Sequence, residues 1–305
     1  MNRPRSSVAH LQQLLAILLL ATSVGWLALW WGRSPWIGCG GFALIAAGYA
    51  SLLALEFLAL QAVDRDGPVP RPTLPMLARA CAGEVLQGAL VFLWRQPFRW
   101  RRVPDRTTAE PELRGRRGVV FIHGFFCNRG FWTPWLRRMA AGNRSFCAVN
   151  LEPFSGGIDG YVPIIERSVV AVTQASGLAP VLVCHSLGGL AARAWLRAGG
   201  AGRVHHVITI GSPHQGTWLA RFSHTANGRQ MRIGSDWIRA LARQSPQGSR
   251  TRFTCWYSDC DNVVFPAACA TLPDADNRLV RGRAHVELAF DPEVLRHSLA
   301  LLEGG

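Results

Sequence analysis

Two long uncharged runs near the N-terminus restrict this chain more than any other feature. From Leu14 to Trp31 there is no charged side chain, and from Trp36 to Leu55 there is again none, with Glu56 alone before Val63. A run of that length crosses a bilayer core of about 30 Å as a helix, because each backbone N–H and C=O must then be satisfied within the segment. Gly32-Arg33-Ser34-Pro35 separates the runs. Trp26, Trp30, Trp31 and Trp36 gather around this break, where an aromatic belt sits at a lipid–water interface. The pattern predicts a transmembrane hairpin over residues 1–63. A cleaved signal peptide fits poorly, since the first run is too long and lacks a small-x-small cleavage site. A buried core helix fits poorly too, because two adjacent runs are hard to hide in one core. Arg3 and Arg5 precede the first run, Arg65, Arg71 and Arg79 follow the second, and only Arg33 lies between. An excess of arginine on one side marks the cytoplasmic face, so both termini and everything after the hairpin are expected in the cytoplasm.

The formal net charge of +14 raises nucleic acid or an anionic membrane surface as partners. No nucleic-acid module is present, and lysine is absent, so all 33 basic residues are arginines scattered through the chain. A source-genome bias explains that better than a functional demand, and membrane lipid is the better-supported partner. The 8 cysteines do not form a disulfide scaffold. Cys255, Cys260 and Cys269 are close enough in sequence to include one bridge in an oxidising space, but free thiols are the default. No Cys/His cluster has zinc-ligand spacing, and no metal or cofactor is expected. Residues 64–117 read as a connector: prolines at 68, 70, 72 and 75, a helix from Met76 to Trp94, then arginines 95–117 interleaved with Phe98 and Trp100. Arg79, Glu84 and Gln87 leave the 76–94 helix too short an uncharged stretch for a third span, so an interfacial or domain-covering helix is expected. The arginine-rich stretch reads equally as a lipid-surface contact or a solvated linker.

From Gly118 onward strands alternate with helices. Strands are expected at 119–122, 145–149, before Cys184, at 204–210, 252–257 and 277–280, with helices over 160–176 and 292–302. That rhythm predicts a parallel sheet covered on both faces, with ligands outside the carboxyl ends of the strands. Val181-Leu182-Val183-Cys184-His185-Ser186-Leu187-Gly188-Gly189-Leu190 is the chemically informative stretch. Strand, sharp turn and helix convert a serine into an exposed nucleophile, and small residues are needed two positions to either side. Gly188 meets that need; Cys184 stands where glycine is usual. Taken alone, a serine capping a helix explains the same residues. His123-Gly124-Phe125 follows the first strand, where the Phe125 N–H pairs with the Leu187 N–H to hold an oxyanion. His285, on a loop after the last strand, is the candidate base. His123 and His214 read as architectural, His205 and His206 sit at a strand start, and His297 falls inside the closing helix. Asp261 is the favoured orienting acid, with Asp259 in the same loop as the alternative.

From Val119 to its C-terminus the chain resembles the bacterial triacylglycerol lipase and esterase branch of the α/β-hydrolase family. The resemblance rests on 123–125, the elbow 184–193, Ile210 to Thr217, Met231 to Ile238, the aspartate loop, and Gly282 to Leu288. It implies an α/β-hydrolase fold over residues 118–305, a mostly parallel sheet with helices on both faces, preceded here by two transmembrane helices. It also implies a helical lid, expected over 217–248. Some family members bind calcium near the histidine loop, but Asp274, Asp276 and Glu287 make no convincing ligand set. The expected activity is cleavage of carboxylic esters of lipophilic substrates by Ser186, His285 and Asp261, at the inner membrane of a bacterium. An acyltransferase or thioesterase would use the same residues, and a non-catalytic membrane binding protein is the reading from another class. Oligomeric state is not legible.

Overall fold

A six-stranded sheet with every neighbouring pair parallel occupies the C-terminal two-thirds of the molecule. The computed structural model describes residues 5–64, 67–243 and 251–302. The strands are β1 (Val119–Ile122), β2 (Phe146–Ala148), β3 (Val181–His185), β4 (His206–Ile210), β5 (Arg252–Tyr257) and β6 (Asp276–Leu279), in the order β2-β1-β3-β4-β5-β6. The order reverses between β1 and β3, which places a crevice at their carboxyl ends. Strands buried on both faces need continuous apolar runs rather than alternation, and β1, β3 and β4 supply them.

Alternate residues of each strand serve two cores. Val120, Ile122, Leu182, Cys184 and Val207 pack against helices 162–176 and 187–195 on one face. Val119, Phe121, Val181, Val183, Ile208 and Ile210 pack against helices 133–141 and 292–300 on the other.

Three long helices precede the sheet: α1 (Ser7–Trp31), α2 (Pro35–Val63) and α3 (Leu74–Phe98). The last is one continuous helix with a π-helical segment at Ala89–Arg95. All three are long and apolar enough to cross a membrane by length and composition, one more than the sequence suggested. Two of the residues that weighed against the third turn toward protein. Glu84 is buried, so it does not interrupt an outward apolar face, and Arg79, though exposed, donates to the Gly282 carbonyl. Near its other end Gln96 accepts from the Asn128 N–H at 2.6 Å, so α3 is fastened to the sheet domain at both ends.

α1 and α2 behave differently. The start of α1 touches the sheet domain through Ser7, whose N–H and hydroxyl donate to Glu152 at 2.7 and 2.6 Å. Just beyond the end of α2, Asp64 accepts from the Ala267 N–H at 2.9 Å. Both of these ends therefore rest on the sheet domain, with the Gly32–Ser34 turn and its tryptophans at the far end. Trp31 and Trp36 are exposed there, and Trp26 donates to the Ile37 carbonyl across the pair. Phe57 and Leu60 of α2, Leu77 and Ala80 of α3, and Cys260, Phe265 and Ala284 of the sheet domain form one shared core. Burial of side chains such as Phe57, Leu60 and Leu77 contributes ~1.5–3 kcal/mol each relative to water.

The segment 95–117 is no loose linker. Trp100 is buried, and Arg106 exchanges backbone bonds with Phe146 of the edge strand β2. Arg129, buried beneath it, donates to the carbonyls of Ala148, Trp100 and Val103 and to Asp105. Arg101, Arg102, Arg114 and Arg116 stay exposed. Arg3, Arg65 and positions 244–248 of the expected lid lie outside the described residues. None of the 8 cysteines, all among the described residues, is in a disulfide.

Candidate active site

Ser186 sits between β3 and helix 187–195 with φ 53° and ψ −125°, a backbone region that a side chain adopts only when its surroundings impose it. Two close approaches impose it. A Cβ on Gly188 would strike the Ile122 carbonyl, and a Cβ on Gly189 would strike the Ser212 hydroxyl. Gly124, after β1, would meet the Ser186 Cβ at 2.9 Å if it carried a side chain. Cys184 fits the remaining small-residue position, fully buried, its thiol pushed well above the ordinary range by burial.

His285 opens the short helix His285–Leu288 after β6. Its Nδ1 lies 2.9 Å from both Asp261 Oδ1 and Oδ2. Asp261 Oδ1 also accepts from the N–H groups of Val263 and Val264 at 2.9 and 2.8 Å, which fixes the carboxylate. Burial alone would lower the His285 pKa, but the Asp261 charge and its hydrogen bond outweigh burial and hold it above 6.5. Asp259 is turned elsewhere, accepting from the Gly282 N–H at 2.6 Å and Arg281 Nε at 3.0 Å. Of the two aspartates the sequence offered, only Asp261 is brought to the imidazole.

The other histidines have structural partners. His123 Nδ1 bonds the Gly124 carbonyl and its Nε2 accepts from the Leu151 N–H, while burial lowers its pKa to about 4. His214 is buried against Thr209 Oγ1, with its pKa driven well down by burial. His206 pairs with Thr254, and His297 stacks on Trp256, away from this site.

Several residues escaped the sequence. Gly211, at φ 55°, lies so close that a Cβ would meet Asp261 Oδ2 at 2.9 Å and His285 Nδ1 at 3.1 Å. His185 stacks on Phe131, its ring 4.6 Å from that of His285, and donates to the His285 carbonyl. The apolar helices reach all three loops of the site. Gln12 of α1 donates to the Phe126 carbonyl at 3.0 Å, beside Phe125. Glu56 of α2 accepts from Asn262 Nδ2 at 2.6 Å, and Asn262 in turn accepts from the His285 N–H at 3.1 Å. Glu84 of α3 accepts from the Val286 and Glu287 N–H groups at 3.0 and 3.1 Å. A signal existed for these: a polar side chain inside an apolar run marks a functional position by default.

A cavity of about 510 Å³ opens above Ser186, within the usual range for small-molecule sites. Ser186, His285, Asn262 and Phe125 line it together with Gln12 and Leu15, Tyr49 to Glu56 on one face of α2, and Glu84, Phe92 and Leu93 of α3. None of residues 217–243, the described part of the expected lid, lines it. Trp218 stacks instead on Phe265, and Trp237 donates to Asp159 at 2.7 Å. It is the N-terminal helices, among the described residues, that line the cavity. Among the described residues no group of three His, Cys, Asp or Glu is arranged to hold a metal ion.

Residues 119–301 match the family model described as alpha/beta hydrolase family. Among solved structures the chain is similar to a Bacillus licheniformis lipase in its mature form, at 16% identity and TM-score 0.56, over 66% of this chain and 96% of that one. It is also similar to lipase B of Aspergillus fumigatus, at 17% identity and TM-score 0.54, over 62% of this chain and 53% of that one. At these identities the likeness is one of fold. No match to a curated protein sequence was found.

Proposed function

The chain belongs to the alpha/beta hydrolase family, and on that premise we propose that it is a membrane-anchored serine hydrolase cleaving carboxylic esters of lipophilic substrates. One observation carries this reading: Ser186, held at a left-handed φ, and His285, paired with Asp261, open onto the same apolar cavity. The two solved lipases sharing the fold are consistent with it.

Asp261 accepts from Nδ1–H, which leaves His285 Nε2 as the acceptor. Ser186 Oγ attacks the acyl carbon as its proton passes to Nε2, and the carbonyl π pair moves onto oxygen. The Phe125 and Leu187 N–H groups stabilise that oxyanion. Collapse expels the alcohol, which takes the proton from Nε2 and leaves an acyl-Ser186 ester. Water then attacks with Nε2 as base, releasing the acid and restoring the serine. The anchor is the α1–α2 hairpin, whose two ends rest on the sheet domain, whereas α3 is fastened to that domain near both of its ends. The catalytic domain faces the cytoplasm by the arginine distribution, with the exposed Arg101 and Arg102 toward anionic lipid.

Ser186→Ala removes fluorophosphonate labelling and lowers nitrophenyl ester turnover by ~10⁴-fold or more, the scale of losing a triad nucleophile. Near-normal turnover in a folded variant rejects the assignment. Labelling of the wild type without ester turnover points to acyl transfer instead.

A further inference from the structure

The cavity over Ser186 is graded from end to end. Its floor is polar, made by Ser186, His285, Asn262 and Glu56. Its rim is apolar and comes from every surrounding piece: Leu15 of α1 is 49% exposed, Leu52 of α2 58%, Leu93 of α3 44% and Phe125 37%. Isolated exposed leucines are ordinary, but a contiguous apolar rim contributed by four separate elements marks a membrane or interaction surface. The mouth opens where the outward faces of the apolar helices meet.

The depth of the mouth follows from helix geometry. At about 1.5 Å per residue, ~30 Å of hydrocarbon spans roughly 20 helical residues. Counting back that far from the tryptophans at the turn puts the near boundary of the hydrocarbon close to Gln12 on α1 and Glu56 on α2. Those are the polar residues of the hairpin that touch the catalytic loops. Leu15 and Leu52 then lie just inside the hydrocarbon, and the polar floor lies at the boundary. That is the depth at which a bilayer lipid carries its ester, between polar head and apolar tail.

Resting on the hydrolase reading above, we propose that the cavity is a lateral portal. A long-chain ester lipid of the adjacent leaflet enters between α1, α2 and α3, presents its ester carbonyl to Ser186, and keeps its acyl tail in the bilayer through the Leu15–Leu52–Leu93 mouth. The helices are then part of the substrate site as well as its anchor. The substrate class is a membrane-resident acyl ester with a tail long enough to span from the floor to the lipid.

The test uses the full chain in vesicles of phosphatidylethanolamine and phosphatidylglycerol, with 4-methylumbelliferyl palmitate and butyrate as substrates sharing one leaving group. Leu52→Trp and Leu93→Trp narrow the mouth and lower the palmitate-to-butyrate ratio of kcat/KM about tenfold or more, the scale of a shape restriction in an apolar site. Leu58→Trp, on an outward face of α2 away from the cavity, leaves the ratio at its wild-type value. An unchanged ratio in both active mouth variants overturns the portal, as does an equal shift in Leu58→Trp. A second measurement needs no variant. Wild-type Ser186 is reacted with an alkyl fluorophosphonate whose long chain ends in pyrene, and lipids brominated on their acyl chains are added. Quenching places the tail in the bilayer; its absence places the tail in a closed pocket and overturns the portal. A wild type that neither labels nor turns over either ester fails the hydrolase reading itself, and the portal falls with it.

Discussion

At the scale of single residues, Asp261 and Asp259 share a loop and a charge but do different work. Asp261→Asn removes the carboxylate that fixes the His285 tautomer, and a loss of ~10⁴-fold in kcat is expected. Asp259→Asn weakens only the bonds to Gly282 and Arg281, an effect on folding stability on the order of 1–2 kcal/mol. Turnover and denaturation midpoints of both purified variants separate the two roles. A crippling Asp259→Asn would reject the pairing. His285 makes a second prediction. Only its neutral form accepts the serine proton, so kcat/KM rises with pH and reaches half its plateau above 6.5, because Asp261 holds the imidazolium against the pull of burial. Folding linkage has the opposite sign. A pKa raised in the folded state contributes stability that is fully present below the unfolded value near ~6.5 and is lost as pH rises through the folded one. A pH–rate profile and thermal melts across the same range check both, and an inflection below 6.5 contradicts the pairing.

At the scale of elements, the three N-terminal helices each hold one loop of the site. Gln12 takes the loop after β1, Glu56 works through Asn262 on the aspartate loop, and Glu84 takes the histidine loop. Glu84 is the most consequential, because it is buried and satisfies N–H groups at the start of the helix that carries His285. Glu84→Ala leaves those donors buried without a partner, at about 1–3 kcal/mol, and loosens His285. Glu84→Gln keeps an acceptor and costs less. Denaturation midpoints together with kcat should rank wild type, Gln and Ala in that order. Equal stability for wild type and Ala would show that the contact contributes little. The elbow shows the same dependence between elements. Helix 187–195 can approach β1 only because Gly188 brings no Cβ against the Ile122 carbonyl.

At the scale of the whole molecule, the sheet domain and the apolar helices form one working unit. A reporter active only in the cytoplasm should be active when fused to the C-terminus, and one active only outside should be silent. The reverse pattern overturns the orientation and leaves the site geometry untouched. The sequence by itself determined what local pattern can carry. It carried the long apolar helices, the alternation that builds a parallel sheet, the elbow at Ser186 and the histidine after the last strand. Each depends on periodicity or spacing within a few residues, and backbone sterics make such signals readable. The sequence favoured Asp261 over Asp259 but left both open, and the tertiary structure brings Asp261 to His285 and turns Asp259 to Gly282 and Arg281 by what it places opposite each. Tertiary structure also decided that Gly211 must be bare and that α1, α2 and α3 line the cavity over Ser186. Glu56 and Asn262 are 206 residues apart, and Glu84 and Val286 are 202. Contacts at that separation are set by how two hydrophobic surfaces come to share one core, and no short stretch of sequence encodes them.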